Sequence, residues 1–224
     1  MIIEICATTI NSVINANRAG ADRIELCSNY SVGGLTPPLE LIKEALNISE
    51  IPINVLIRPR PGNFIYNDDE INKMKNDISS IMELGINGFV VGSIQSNGDI
   101  DNEFINEVRG LTDTLDLTFH RAFDYLNNQN ESIDILISSG FSRILCSGNK
   151  SDAIEGIENL ISFNKYSNNG IVIMPGGGIS KENCLEFKNA GFKEIHLSGI
   201  PKSNSMDSLD SDYKTIEEIV SKTK

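Results

Sequence analysis

Residues 23–27 read Arg23-Ile24-Glu25-Leu26-Cys27. Apolar and polar side chains alternate with period two, the mark of a strand whose two faces meet different surroundings. Ile24 and Leu26 belong to one face, and Arg23, Glu25 and Cys27 to the other. A loop of turn-forming residues follows, Ser28-Asn29-Tyr30-Ser31-Val32-Gly33-Gly34-Leu35-Thr36, and Thr36-Pro37-Pro38 then starts a helix. The unit is therefore strand, long loop, helix.

The same unit recurs along the chain. Strands are expected near residues 2–6, 23–27, 53–58, 88–92, 115–119, 143–147, 171–174 and 194–198, with helical patterns between them and a last helix over about 212–221. Strands alternating with helices imply a parallel sheet, and eight units in 224 residues imply an α/β fold of the (β/α)8 TIM-barrel type, a single domain spanning 1–224. An open doubly wound sheet is the alternative. Residues 202–211 are polar and serine-rich and read as a mobile loop after the eighth strand.

Composition narrows the function classes. The net charge of -12 argues against nucleic acid as a partner, because counterion release needs a basic surface. No apolar run approaches the length of a membrane span. The N-terminus lacks a basic n-region and carries Glu4 at once, so it reads as a first strand in a cytoplasmic protein rather than as a signal peptide. Cys6, Cys27, Cys146 and Cys184 form no C-x-x-C pair and are expected as reduced thiols.

In a parallel barrel the outer strand face packs on helices, so the polar face points inward. Parity then places Glu4 and Cys6, Arg23, Glu25 and Cys27, Asn54, Leu56 and Arg58, Thr118 and His120, and Glu194, His196 and Ser198 inside. Buried charges must pair, meet water or meet a ligand. One solution is an internal salt-bridge network of Glu4 and Glu25 with Arg58. The other is a polar ligand site at the C-terminal mouth of the barrel.

Several constellations would serve such a site. Thr118-Phe119-His120-Arg121-Ala122-Phe123-Asp124 ends the fifth strand with an imidazole and a carboxylate, where His120 and Asp124 form an acid/base pair or Asp124 orients the ring. His196 would face His120 across the mouth, with Glu4 and Glu25 as further proton carriers; two glutamates and two histidines also suit a divalent metal. Arg58 and Arg60 are candidate anion ligands. Ser147 and Gly148, Gly176, Gly177 and Gly178, and Ser198 and Gly199 follow strands six to eight, where barrels hold phosphate on backbone N–H groups. Cys6 and Cys27 end adjacent strands with the same parity. Two thiols that close suit a soft ion such as Cu(I), unless they are simply small buried hydrophobes. Cys146 has outward parity and Cys184 lies in a helix, so both are packing residues.

Glu4-Ile5-Cys6, Gly20-Ala21-Asp22-Arg23-Ile24-Glu25-Leu26-Cys27-Ser28, Gly33-Gly34-Leu35-Thr36-Pro37, Ile57-Arg58-Pro59-Arg60, Thr118 to Asp124, Ser147-Gly148 and Pro175-Gly176-Gly177-Gly178-Ile179 together resemble the CutC family. The resemblance runs from Met1 to about Gly199. It implies a TIM barrel, a cytoplasmic homo-oligomer and a role in copper homeostasis, with Cys6 and Cys27 at the positions of the proposed copper ligands. Asn63 stands where an aspartate is usual, and Cys146 where a threonine is common. Two functional expectations follow: copper-ion binding of the CutC type, or an enzyme acting on a small anionic phosphate or carboxylate ligand by acid/base chemistry.

Overall fold

Period-two runs become short buried strands, and the amphipathic runs between them become helices. The computed structural model describes residues 1–201 and 209–224. Its elements are β1 (Ile2–Ala7), α1 (Ile10–Arg18), β2 (Arg23–Leu26), α2 (Leu39–Ile48), β3 (Ile53–Leu56), α3 (Asp68–Met82), β4 (Gly88–Val91), α4 (Asn102–Thr112), β5 (Asp116–Phe119), α5 (Gln129–Ser138), β6 (Arg143–Cys146), α6 (Ile157–Ser167), β7 (Val172–Pro175), α7 (Cys184–Asn189), β8 (Glu194–Leu197) and α8 (Tyr213–Thr223). Two short 3-10 turns, Tyr30–Val32 and Arg121–Tyr125, sit in the loops after β2 and β5. Most of the loop expected at 202–211, namely residues 202–208, lies outside the described residues.

All pairings are parallel, in the order β7-β6-β5-β4-β3-β2-β1-β8. A single parallel bridge, Gly176 to His196, joins β7 to β8, so the ring is nearly closed. This is the expected (β/α)8 barrel. Helix starts carry the side-chain caps their sequences provide: Thr9 accepts from the Ser12 amide, Asp101 from Phe104, and Asn67 with Glu70 makes a reciprocal capping box. Thr36 is not such a cap. Pro38 precedes α2 without a side-chain bond, and Thr36 instead exchanges hydrogen bonds with the backbone of Arg58.

The outward faces follow parity. Ile3, Ile5, Ile24, Leu26, Val55, Phe89, Leu117, Phe119, Ile144, Cys146 and Ile195 pack with the inner helix faces into one apolar shell around the barrel. Each fully buried side chain of this kind contributes roughly 1.5–3 kcal/mol. Cys184, the first residue of α7, is buried in the same shell. Inside the barrel a small separate apolar group, Cys6, Cys27, Leu56 and Val90, sits alone. The rest of the interior is largely polar: Glu4, Arg23, Glu25, Asn54, Thr118, Arg143 and Glu194 are all buried, with Met174 against Arg23 among them.

Candidate functional site

The barrel interior sorts its charges by height. Strand register puts Glu4 level with both Arg23 and His196. Arg23 bridges Glu4 and Glu194; Arg143 continues the chain from Glu194 (3.3 Å) to Asp116 (2.9 Å). The internal network thus exists, but its cations are Arg23 and Arg143, not Arg58. The reason is position: Arg58 lies beyond the end of β3, whereas Arg23 and Arg143 open their strands. The inward parity of Arg23 and Glu194 was legible in the sequence, and the outward parity of Cys146 already turned Arg143 inward; their partners were not.

Above this ladder sits a thiol–imidazole–carboxylate cluster. Cys6 Sγ and Cys27 Sγ are 3.2 Å apart, and both cysteines are free thiols. Cys6 Sγ, a Glu25 carboxylate oxygen and an imidazole nitrogen of His196 lie within 4.8 Å of one another. His196 Nδ1 is 2.8 Å from Glu4 Oε1 and 3.9 Å from Glu25 Oε2. Burial opposes ionisation of Glu4, but Arg23 and His196 outweigh it and hold its carboxyl down at about 2. Burial pushes Glu25 up to about 7, against the attraction of His196 and with the Glu4 charge adding to the push. For His196 burial disfavours the cation, yet Glu25, the Cys6 sulfur and Glu4 raise it well above the ordinary imidazole range. The Cys27 partner and burial raise the Cys6 thiol. In its resting form the cluster holds one cation, the imidazolium, between two carboxyl groups and two thiols.

Cys27 is wholly buried and Cys6 nearly so. The loop between β2 and α2 covers them: a Cβ on Gly34 would come within 2.8 Å of Leu56 and 3.5 Å of Cys27 Sγ, and Gly34 has φ +83°. Only glycine gives this close approach without strain. Arg58 ties the loop down, donating through Nη1 to the Val32 and Gly34 carbonyls at 2.9 and 3.0 Å.

His120 stands elsewhere. β5 and β8 lie three places apart in the ring, through β6 and β7, so His120 and His196 occupy different sides of the mouth. The His120 ring lies across Gly92, where a Cβ would come within 2.5 Å of it. Its neighbours are Phe64 (ring centroids 4.8 Å apart) and Phe119. The Ala122 amide donates to Nδ1 at 3.2 Å, which fixes the neutral tautomer with its proton on Nε2. Nε2 is buried without a hydrogen-bond partner. Burial, reinforced by the Arg58 charge, lowers this imidazole to about 3. The two histidines of the chain thus differ in charge state, His120 neutral and His196 a cation.

Asp124 does not orient His120. The 3-10 turn carries it toward β6, where it accepts from the Ser147 and Asn149 amides (2.9 and 3.0 Å), the Ser147 hydroxyl and Arg121 Nε. The Ser147 and Asn149 amides are therefore occupied by the protein's own carboxylate. The other cradle residues also carry structural bonds. The Gly176 amide donates to the Cys146 carbonyl, the Gly177 carbonyl accepts from Ala153, Gly178 accepts from Asn183, Ser198 accepts from Tyr30, and Gly199 accepts from Asp212. Arg60 is committed to Glu70 Oε1 at 2.5 Å and to the Asn63 and Ile65 carbonyls. Asn63 takes part through its backbone carbonyl and its side-chain oxygen.

Fold and interior together define a class: a TIM-type barrel whose core is an ionic ladder capped by a buried thiol pair. Comparison with known proteins places it further. The CutC family model matches residues 1–201. The chain is 42% identical over 200 residues to a CutC family protein of Pasteurella multocida, covering 89% of this chain and 82% of that one. It is 39% identical to the human copper homeostasis protein cutC homolog, covering 88% and 72%. A solved structure named for copper homeostasis, CutC of Streptococcus agalactiae, superposes with a TM-score of 0.84 at 39% identity, covering 88% of this chain and 98% of that one. The chain belongs to the CutC family. Among the described residues no helix is long and apolar enough to cross a membrane.

Proposed function

We propose that this protein binds Cu(I) as cargo in the cytoplasm, with Cys6 and Cys27 as thiolate ligands and His196 as a third donor. The observation that carries the reading is the 3.2 Å approach of two free thiols beside an imidazole in one buried cluster. Thiolate ligands select soft ions, and a buried S, S, N set suits Cu(I) better than a hard cation. Glu4, clamped by Arg23, fixes the imidazole ring in the way carboxylates support metal-bound histidines. Glu25 supplies an oxygen at the rim, and its Oε2 is buried without a hydrogen-bond partner.

Binding follows from charge exchange. A metal ion between two sulfurs at about 2.3 Å each holds them roughly 3.8 Å apart in tetrahedral geometry, so the thiols must part by about half an ångström. The raised thiol must lose its proton, so uptake releases protons and tightens as pH rises. The loop carrying Gly34 must lift, which makes entry slower than the binding step itself. Relatives named for copper homeostasis support the cargo assignment. Association into a homo-oligomer belongs to the same proposal and is read by light scattering.

The test is a competition titration of Cu(I) against a chromogenic chelator. Wild type should hold one Cu(I) per chain, and the Cys6→Ser/Cys27→Ser variant should lose more than about a hundredfold in affinity. Equal affinity in the double variant would refute the site.

A further inference from the structure

The copper cluster gives Arg58 and His120 no task, yet both are buried and chemically incomplete. Arg58 is 5% exposed, and no carboxylate pairs with it among the described residues. Its Nη1 and Nη2 donate to the carbonyls of Val32, Gly34 and Gly62. Carbonyls satisfy donors but leave the net charge of a buried cation uncompensated. Arg23 and Arg143, inside the same barrel, each meet carboxylates. Arg58 is the exception, and it stands at the mouth rather than in the ladder.

Around it are further incomplete groups. His120 Nε2, Arg58 Nε and Tyr66 Oη are all buried without a hydrogen bond of normal geometry. Arg58 and His120 share one neighbour: the Phe64 ring centroid lies 4.9 Å from the guanidinium carbon and 4.8 Å from the imidazole centroid. The strands that present them, β3 and β5, flank β4. β4 is followed by Gly92, whose missing side chain leaves room for the imidazole to lie across it. A neutral imidazole donating from Nε2, a fixed guanidinium and an aromatic cover make a donor set with no built-in carboxylate; the Tyr66 hydroxyl and the loop carbonyls meet the guanidinium only as neutral groups. Buried polar groups are normally satisfied, so several unsatisfied donors around one uncompensated cation call for an anionic acceptor.

We propose that the barrel mouth between β3 and β5 binds a small oxyanion, a carboxylate or a phosphate, through the His120 Nε2 proton and the Arg58 guanidinium, with Phe64 as its cover. The ligand is the acceptor, so His120 stays neutral and donates. This site is separate from the Cys6–Cys27 cluster and does not depend on copper binding. Because its atoms are buried, the Phe64 loop between β3 and α3 must open for entry.

Two histidines make the test clean, because a histidine-selective 15N spectrum shows two imidazoles. Full-length protein at neutral pH is titrated with sodium acetate, with sodium phosphate, and with sodium chloride at matched ionic strength. The expected result is a saturable shift of the His120 Nε2 signal with acetate, phosphate or both, with a midpoint in roughly the millimolar range, and no such response to chloride. Acetate alone identifies a carboxylate site and phosphate alone a phosphate site. Arg58→Gln should weaken the midpoint at least about tenfold. If that variant does not fold, His120→Asn carries the test, with ligand-dependent thermal stabilisation as readout; the stabilisation seen in wild type should disappear. No saturable response to either anion, a response matched by chloride, or one that survives these substitutions would overturn the proposal.

Discussion

His120, buried beyond the end of β5, and His196, largely buried on β8, lie in one barrel, and burial alone would leave both neutral. They differ because of what faces them. His196 meets Glu4 and Glu25 and is held as a cation. His120 meets Arg58 and aromatic rings and is held neutral, at about 3. The barrel thus has a cation-holding side on β1, β2 and β8 and an anion-seeking side on β3 and β5. In a medium of low dielectric a few fixed charges decide such assignments. Arg58 connects the two sides mechanically, since it also pins the loop that covers Cys27.

The largest effect is expected from breaking the ladder that supports the cation-holding side. Arg23→Ala strands Glu4 and Glu194 without their shared partner, and should cost about 3–5 kcal/mol in urea denaturation. A cost under 1 kcal/mol would show that water replaces the guanidinium easily. Arg58→Lys removes bonds to three carbonyls and should cost about 2–3 kcal/mol, while speeding Cu(I) uptake by loosening the loop over Cys27. Stopped-flow uptake no faster than wild type would break the mechanical link. Gly92→Ala drives a methyl group into the His120 ring and should cost about 1–3 kcal/mol, with the His120 imidazole signal displaced and that of His196 unchanged.

The pH dependence sharpens the contrast further. His120 is neutral when folded, but its unfolded form takes up a proton below the ordinary 6.5. Stability should therefore fall as pH drops from about 6.5 toward 3, by at most about 1.4 kcal/mol per pH unit from this group. His196 has the opposite sign. Its imidazolium contributes stability that is fully present below 6.5 and is lost as pH rises from there through the raised native value. His120→Asn should flatten the acid side of the stability profile, and His196→Asn the alkaline side. Equal effects of both variants on the same side would contradict the assignment of charge states.

The fold was legible because it depends on local periodicity. Ile24 and Leu26 outward with Glu25 and Cys27 inward needs no knowledge of distant residues. The thiol pair was legible for the same reason, since Cys6 and Cys27 end adjacent strands with shared parity. Parity tells which way a side chain points but not its height in the barrel or its place around the ring. His120 and His196 do stand on different sides of the mouth, three strands apart, but parity gives no sign that carboxylates face one and a guanidinium the other. Arg58 was paired with Glu4 and Glu25, although it lies above them. Neither an acid/base pair of His120 with Asp124 nor an orienting role for Asp124 is seen, because the 3-10 turn between them carries Asp124 to the Ser147 loop. Of the glycines after strands six to eight, Gly176 spends its amide on the barrel seam, while Gly177, Gly178 and Gly199 use their carbonyls to hold the loops.

The central claim is that the cation-holding side exchanges its imidazolium proton and thiol protons for a copper ion. Copper K-edge absorption of the Cu(I)-loaded protein reads the ligand shell directly. Two sulfur scatterers at about 2.3 Å with a lighter nitrogen scatterer are predicted, and the sulfur shell should vanish in Cys6→Ser/Cys27→Ser. Bound copper surrounded by nitrogen and oxygen alone, or a sulfur shell that persists in the double variant, would contradict it.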